Sequence, residues 1–133
     1  MKIEYAILPS RVKALFIDTM IIVALIFLAS EILAQFENVP NYVRIIIFIL
    51  FFHLYDPLFV SIYGGTIGHS KMGITVRDAQ NPKNKINFIR ALFRFVFKVM
   101  LGWISFLTIS GNKKKQAIHD LIGNSIVIED EKE

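Results

Sequence analysis

Residues 11–34 read RVKALFIDTMIIVALIFLASEILA, a run of membrane-grade hydrophobicity with an acid, Asp18, in its first half. Seventeen residues lie between Lys13 and Glu31, and Asp18 is the only charge among them. A helix needs roughly 20 mostly apolar residues to cross a bilayer core. The run meets that length when the side chains of Lys13 and Glu31 reach toward the headgroups. A carboxylate at the centre of a spanning helix costs about 2.5–3.5 kcal/mol on insertion scales. Partners for Asp18 are therefore expected from the rest of the chain.

The composition agrees. The 133 residues leave room for one domain. The apolar fraction is 54%, with twelve Phe, and mean hydropathy is +0.52, too high for an ordinary soluble domain of this size. The chain has no cysteine, which excludes disulfides, thiolate metal sites and thiol catalysis. The net charge of +4 comes from basic residues that flank or interrupt apolar segments. That pattern argues against nucleic acid and for anionic lipid headgroups as partners. Residues 1–10 lack a signal-peptide layout, so the first apolar run is expected to remain as an anchor.

The segment MKIEYAILP reads as an amphipathic lead-in closed by Pro9, with Ser10 as N-cap of the first helix. QFENVPN is a turn. A second span is expected over about 41–63, with His53, Asp56 and Pro57 deep within it. Pro57 removes a backbone hydrogen bond and is expected to kink the helix near His53. Two readings of Asp56 stay open: a functional acid beside His53, or a marker of the end of the apolar core. The next stretch, GGTIGHSKMGITVRDAQNPKNKIN, carries glycines at 64, 65, 68 and 73 and reads as loop and tight turns. It lacks the G-K-[ST] ending of a phosphate-binding loop. GITVRDA and NSIVI read as two short strands. GNKKKQAIHDLIGN reads as a short basic helix, with Asn112 as N-cap and Gly123 as C-cap. EDEKE is a solvated tail.

Basic residues in the flanks place the N-terminus and the second loop in the cytoplasm. The third apolar region, about 86–110, then creates a conflict. If it crosses, Lys113, Lys114 and Lys115 lie outside, and the two strands are separated from each other. An isolated strand leaves its backbone groups unpaired. Two crossings need about 40 residues, and this region has only about 25. A re-entrant or interfacial segment is therefore favoured, with a third span as the alternative.

Arg90, Arg94 and Lys98 recur at i, i+4 and i+8, one cationic stripe on this third segment. The economical arrangement pairs Asp18, and with it Asp56, to Arg90 or Arg94. Such a cluster reads either as a packing staple or as an ion or proton site. Three scattered histidines do not form a metal-site spacing. No nucleophile–base pair or elbow motif accompanies the serines, so no enzyme and no cofactor is expected.

These residues resemble the RDD family of small membrane proteins. Arg11 and Asp18 in RVKALFID match the Arg and Asp of its first helix. GGTIGHSKMGITV resembles its G-x-T-x-G-K…G-x-x-V stretch, departing at His69. The segment with Arg90 and Arg94 resembles its arginine-bearing third region. QAIHDLIGNSIVI resembles its closing H-D-x-x-x-x-T-x-V pattern, with Asp120 as the aspartate and Ser125 in place of threonine. The resemblance covers nearly the whole chain. It implies a membrane protein for which transport, including sodium/proton exchange in some members, has been proposed. It also strengthens Asp120 as a structural or functional acid, one that could meet Arg11 at the membrane surface.

The expectation is an all-α inner-membrane protein forming one domain over 1–133. It has two spans, a third re-entrant, interfacial or spanning segment, and a small cytoplasmic two-stranded β-ribbon. Its polar centre comprises Arg11, Asp18, Asp56, Arg90, Arg94 and Asp120. The expected function is transport-related, by cation/proton exchange at an intramembrane Asp–Arg site. The alternative is a non-catalytic scaffold or accessory subunit. Two spans cannot enclose a pathway, so a homo-oligomer or a partner membrane protein is expected.

Overall fold

The computed structural model describes residues 3–130. Two long helices come first: α1, Leu8–Ala34, and α2, Asn41–Tyr63. A short helix α3, Ile67–Lys71, leads into strand β1, Ile74–Asp78. Helix α4, Phe88–Leu101, continues into a 3-10 segment, Gly102–Thr108. A five-residue helix α5, Ile118–Ile122, and strand β2, Ser125–Glu129, close the fold.

Three helical stretches are long and apolar enough to cross a membrane: Leu8–Ala34, Asn41–Tyr63 and Phe88–Thr108. Much of their apolar surface faces outward. Phe16 and Phe27 on α1 are both 66% exposed, as suits a lipid-facing helix. The third stretch is not one continuous α-helix. Its α-helical part has 14 residues, about 21 Å of length, short of the roughly 30 Å apolar core. It ends at Gly102, whose φ of +57° and ψ of −135° suit a residue without Cβ. The 3-10 segment then brings Ser105 against His119, 2.6 Å from Oγ to Nδ1.

The strands pair with each other, antiparallel, with Val76 opposite Val127. Alternate positions of β1, Ile74 and Val76, are buried, as a half-buried ribbon requires. They pack with Val127, Ala6, Ala14, Val60, Ile86 and Ala91 into the apolar core beneath the ribbon. The N-terminal residues join the same edge: the Ala6 N–H donates to Val127 O at 2.9 Å, and the Glu129 N–H to Glu4 O at 2.8 Å. Residues 4–6, the head of α1 and both strands thus gather at one end of the helices.

Several local expectations change. Helix α1 begins before Pro9, with Ile7 at its N-cap position, so Ser10 lies inside the helix. Proline in the first turn lacks only an N–H that would be unpaired there anyway. GGTIGHSK is not all loop: Thr66 caps α3, accepting from the His69 N–H at 3.2 Å while His69 Nδ1 accepts from the Thr66 N–H at 3.0 Å. Asn112 does not cap α5. It accepts from the Lys114 N–H in a turn, and α5 starts only at Ile118, followed by Gly123 as its C-cap. Glu129 and Asp130 are not tail, since Glu129 ends β2 and the Asp130 N–H donates to Gly73 O at 2.7 Å. The rest of EDEKE, and Lys2, lie outside the described residues.

Candidate functional site: a buried ion-pair network beside an apolar groove

The spacing of the cationic stripe builds a ladder. Each step of four residues advances about 6 Å along α4, so each cation meets a different element. Arg90, nearest the ribbon, pairs with Asp78 at 2.9 Å. It also donates through Nε to Gly123 O at 2.9 Å and through Nη2 to Asn124 O. Arg94 places Nε and Nη2 on Asp120 Oδ1, both at 3.0 Å. Lys98 reaches Asp56 at 3.4 Å.

Asp120 is the hub. It is fully buried in the first turn of α5. Its Oδ2 accepts from Arg11 Nη1 at 2.5 Å and from the Ala117 N–H at 3.1 Å. Arg11 also donates to Lys115 O at 2.8 Å. Burial alone would raise the Asp120 carboxyl, but Arg11 and Arg94 hold it well below the usual carboxylate range. His119 beside it is neutral, because burial pushes its ring well below the ordinary value.

Asp18 is satisfied differently. It accepts from Tyr55 Oη at 2.9 Å, from Thr66 Oγ1 at 2.5 Å and from the Gly68 N–H at 2.8 Å. The Gly68 contact needs a glycine. A Cβ there would overlap the carbonyl oxygen of Ala14 and lie 2.7 Å from Asp18 Oδ1. Three uncharged donors replace the water that a buried carboxylate loses.

A groove of about 380 Å³ opens between α1, α2 and the α4 region. Its walls are apolar, among them Leu15, Phe52, Phe95 and Trp103, and its charged lining groups are Asp18, Asp56 and Lys98.

The model of the RDD family matches residues 5–124. The chain belongs to the RDD family. No curated protein and no solved structure matches it.

In this RDD chain, Arg11, Arg94, Asp56 and Asp120 converge. Asp56 Oδ1 stands 3.9 Å from Arg94 Nη1. Asp56 is buried against α4, where Lys98 pairs with it. Arg90 sits apart, at the ribbon. The anticipated pairing of Asp18 with Arg90 or Arg94 does not form. Both arginines are drawn to the ribbon side by Asp78 and Asp120, while Asp18 turns to α3. His53 bonds Ile49 O at 3.1 Å and packs edge-on to Phe95, a packing role.

Sequence reading missed Tyr55, Thr66 and Gly68 as ligands of Asp18. Thr66 carried a signal, since a threonine three residues before a side chain able to bond back is a helix-start pattern. Tyr55 carried none. Lys98 was visible in the stripe, but its partner was not.

Proposed function

We infer that this RDD-family chain is a small transport-related membrane protein that exchanges a cation for protons at the charged lining of the groove. The observation that carries the reading is the groove itself, in which two carboxylates and one ammonium line an otherwise apolar cleft between the helices. Ionisable groups inside a membrane are costly, and they commonly mark ion or proton pathways. Lys98 stands 3.4 Å from Asp56, a long ion pair that an entering cation can replace. Asp18 lies across the cleft as the second carboxylate. The expected Asp–Arg site thus becomes an Asp–Lys site with Arg94 behind it. The reading is non-enzymatic.

The proposed setting is the plasma membrane, multi-pass, with the N-terminus in the cytoplasm. Helices α1 and α2 span, and Phe88–Thr108 enters and returns. The short α4, the break at Gly102 and the Ser105–His119 contact support re-entry. So does the pairing of β1 with β2, which needs both strands on one side. Anionic headgroups are the proposed lipid partners. A second copy, or another membrane protein, is needed to complete a pathway, and the exposed stripe of Phe16, Met20, Val23 and Phe27 on α1 supplies an apolar face for it.

A scaffold reading is favoured by one observation: Asp18 is already held by three donors, as a purely structural acid would be. Proteoliposomes separate the two. Proton flux driven by a sodium gradient is expected in the wild type and lost in Asp18→Asn and Asp56→Asn at matched insertion. Absence of flux in folded wild-type protein overturns exchange and favours the scaffold.

A further inference from the structure

The groove between α1, α2 and the α4 region has a definite length as well as a lining. On α1 it is bordered by Val12, Leu15, Thr19 and Ile22, spaced so that they share one face of the helix. Ten residues separate Val12 from Ile22, about 15 Å along the axis. The apolar core of a bilayer is roughly 30 Å thick, so the groove is about as long as one leaflet is deep. Its volume of about 380 Å³ falls within the roughly 300–1,000 Å³ usual for a small-molecule site.

The walls suit hydrocarbon. Phe88–Thr108 contributes Phe95, Val99, Trp103 and Phe106. Gly102 leaves that wall open, since a Cβ there would meet nothing within 4 Å. The charged groups of the lining are already matched. Asp18 accepts from three donors. Asp56 and Lys98 pair at 3.4 Å, and their side chains are only 7% and 11% exposed. A guest therefore meets carbon almost throughout, the methylene stem of Lys98 included.

One end of the groove carries lysines. Arg11 donates to Lys115 O at 2.8 Å, which docks the 113–115 turn on the head of α1, beside Val12. Thr108 Oγ1 donates to Gln116 O at 2.8 Å, which ties the same turn to the 3-10 segment, two residues beyond Phe106. Val12 and Phe106 both line the groove, so the turn sits at its α1-head end. Lys113 and Lys114 are exposed there. Neither pairs with a carboxylate among the described residues.

An apolar trench one leaflet long, with unpaired ammonium groups at the end where headgroups lie, has the polarity of a phospholipid. We propose that the groove seats one acyl chain of an anionic phospholipid, whose phosphate is held at Lys113 and Lys114. The chain covers the Asp56–Lys98 pair on its open side. The proposal rests on the membrane setting inferred above and gives its anionic headgroups a defined place. It holds for an exchanger and for a scaffold alike.

The test uses the full chain in detergent micelles. Its single tryptophan, Trp103, lines the groove and reports on it. Phosphatidylglycerol with brominated acyl chains is titrated in, with brominated phosphatidylcholine as the zwitterionic comparison. The anionic lipid is expected to quench Trp103 saturably, at a midpoint roughly tenfold or more below that of the zwitterionic one, as two lysines imply. Unbrominated phosphatidylglycerol is expected to reverse the quenching. Lys113→Gln with Lys114→Gln is expected to bring the two midpoints together. Val99→Phe, at an exposed wall position, fills the groove without touching a charge and is expected to weaken binding of both lipids. Equal midpoints in the wild type, or quenching that never saturates, overturn the proposal. Quenching that Val99→Phe leaves unchanged also overturns it, by placing the chain elsewhere. If Val99→Phe does not fold, Trp103→Phe with Phe27→Trp decides, because Phe27 is exposed on α1 outside this groove. Quenching there without saturation supports the site, whereas the same midpoint and the same lipid preference as at Trp103 overturn it. Sodium-driven flux is read separately, so exchange can fail while lipid binding stands, and the reverse.

Discussion

Arg11 and Asp120 lie 109 residues apart and meet at 2.5 Å, entirely inside the protein. The contact ties the head of the first membrane helix to the last short helix. It does not stand alone, because Asp120 also holds Arg94. Removing one partner of a buried pair costs about 3–5 kcal/mol. Asp120→Asn is therefore expected to lower the thermal midpoint sharply and to reduce the yield of monodisperse protein. The exchange Arg11→Asp with Asp120→Arg is expected not to rescue it, since the new arginine would face Arg94. Full recovery in the double variant would mean that the Arg11 pair acts independently of Arg94.

Gly68 sets how closely α3 approaches α1. Gly68→Ala drives a methyl group into the Ala14 carbonyl and the Asp18 carboxylate. Overpacking of this kind costs about 1–3 kcal/mol. The thermal midpoint is expected to fall, whereas Gly111→Ala, where a Cβ meets nothing within 4 Å, serves as the neutral comparison. Equal midpoints for the two variants would contradict the close approach.

Acid sensitivity follows from the histidines. His69 is depressed to about 3 in the fold, against about 6.5 in an unfolded chain. Between those values the unfolded state binds the extra proton, so stability falls as pH drops through this window. His119 adds to the fall in the same direction. Asp120, depressed by Arg11 and Arg94, keeps its contribution until more acid conditions. Unfolding in detergent from pH 7 to 4 is expected to show the loss, and His69→Gln to reduce its slope by up to one proton, roughly 1.4 kcal/mol per pH unit. An unchanged slope in His69→Gln would place the acid sensitivity in other groups.

The chain has no cysteine, so single cysteines report sidedness cleanly. Because β1 pairs with β2, Gln80→Cys and Asp130→Cys are expected to react with an impermeant thiol reagent from the same side, the cytoplasmic one. Ser30→Cys, near the far end of α1, is expected to react from the other. Opposite labelling of positions 80 and 130 would mean that Phe88–Thr108 crosses the membrane.

Part of this architecture is written in local pattern. Apolar runs of membrane length declared α1 and α2, because a backbone in lipid must satisfy its own hydrogen bonds and a helix does so within one segment. β-branched residues beside turns marked the two strands. The order of Arg11, Asp18, Arg90, Arg94 and Asp120 carried the family. Which charge meets which was a different matter. The i, i+4, i+8 stripe shows that Arg90, Arg94 and Lys98 share a face, but a shared face has no address. Only the chain reversal beyond Gly102, which returns α5 to α4, gives Asp120 to Arg94 and Arg11. Only the packing of α3 on α1 gives Asp18 three neutral donors in place of an arginine. Hydrophobic length and local hydrogen bonding are properties of neighbours in sequence, so the sequence by itself determined the elements. A buried ion pair depends on the few ångströms between atoms distant in the chain, and the tertiary structure alone decides those.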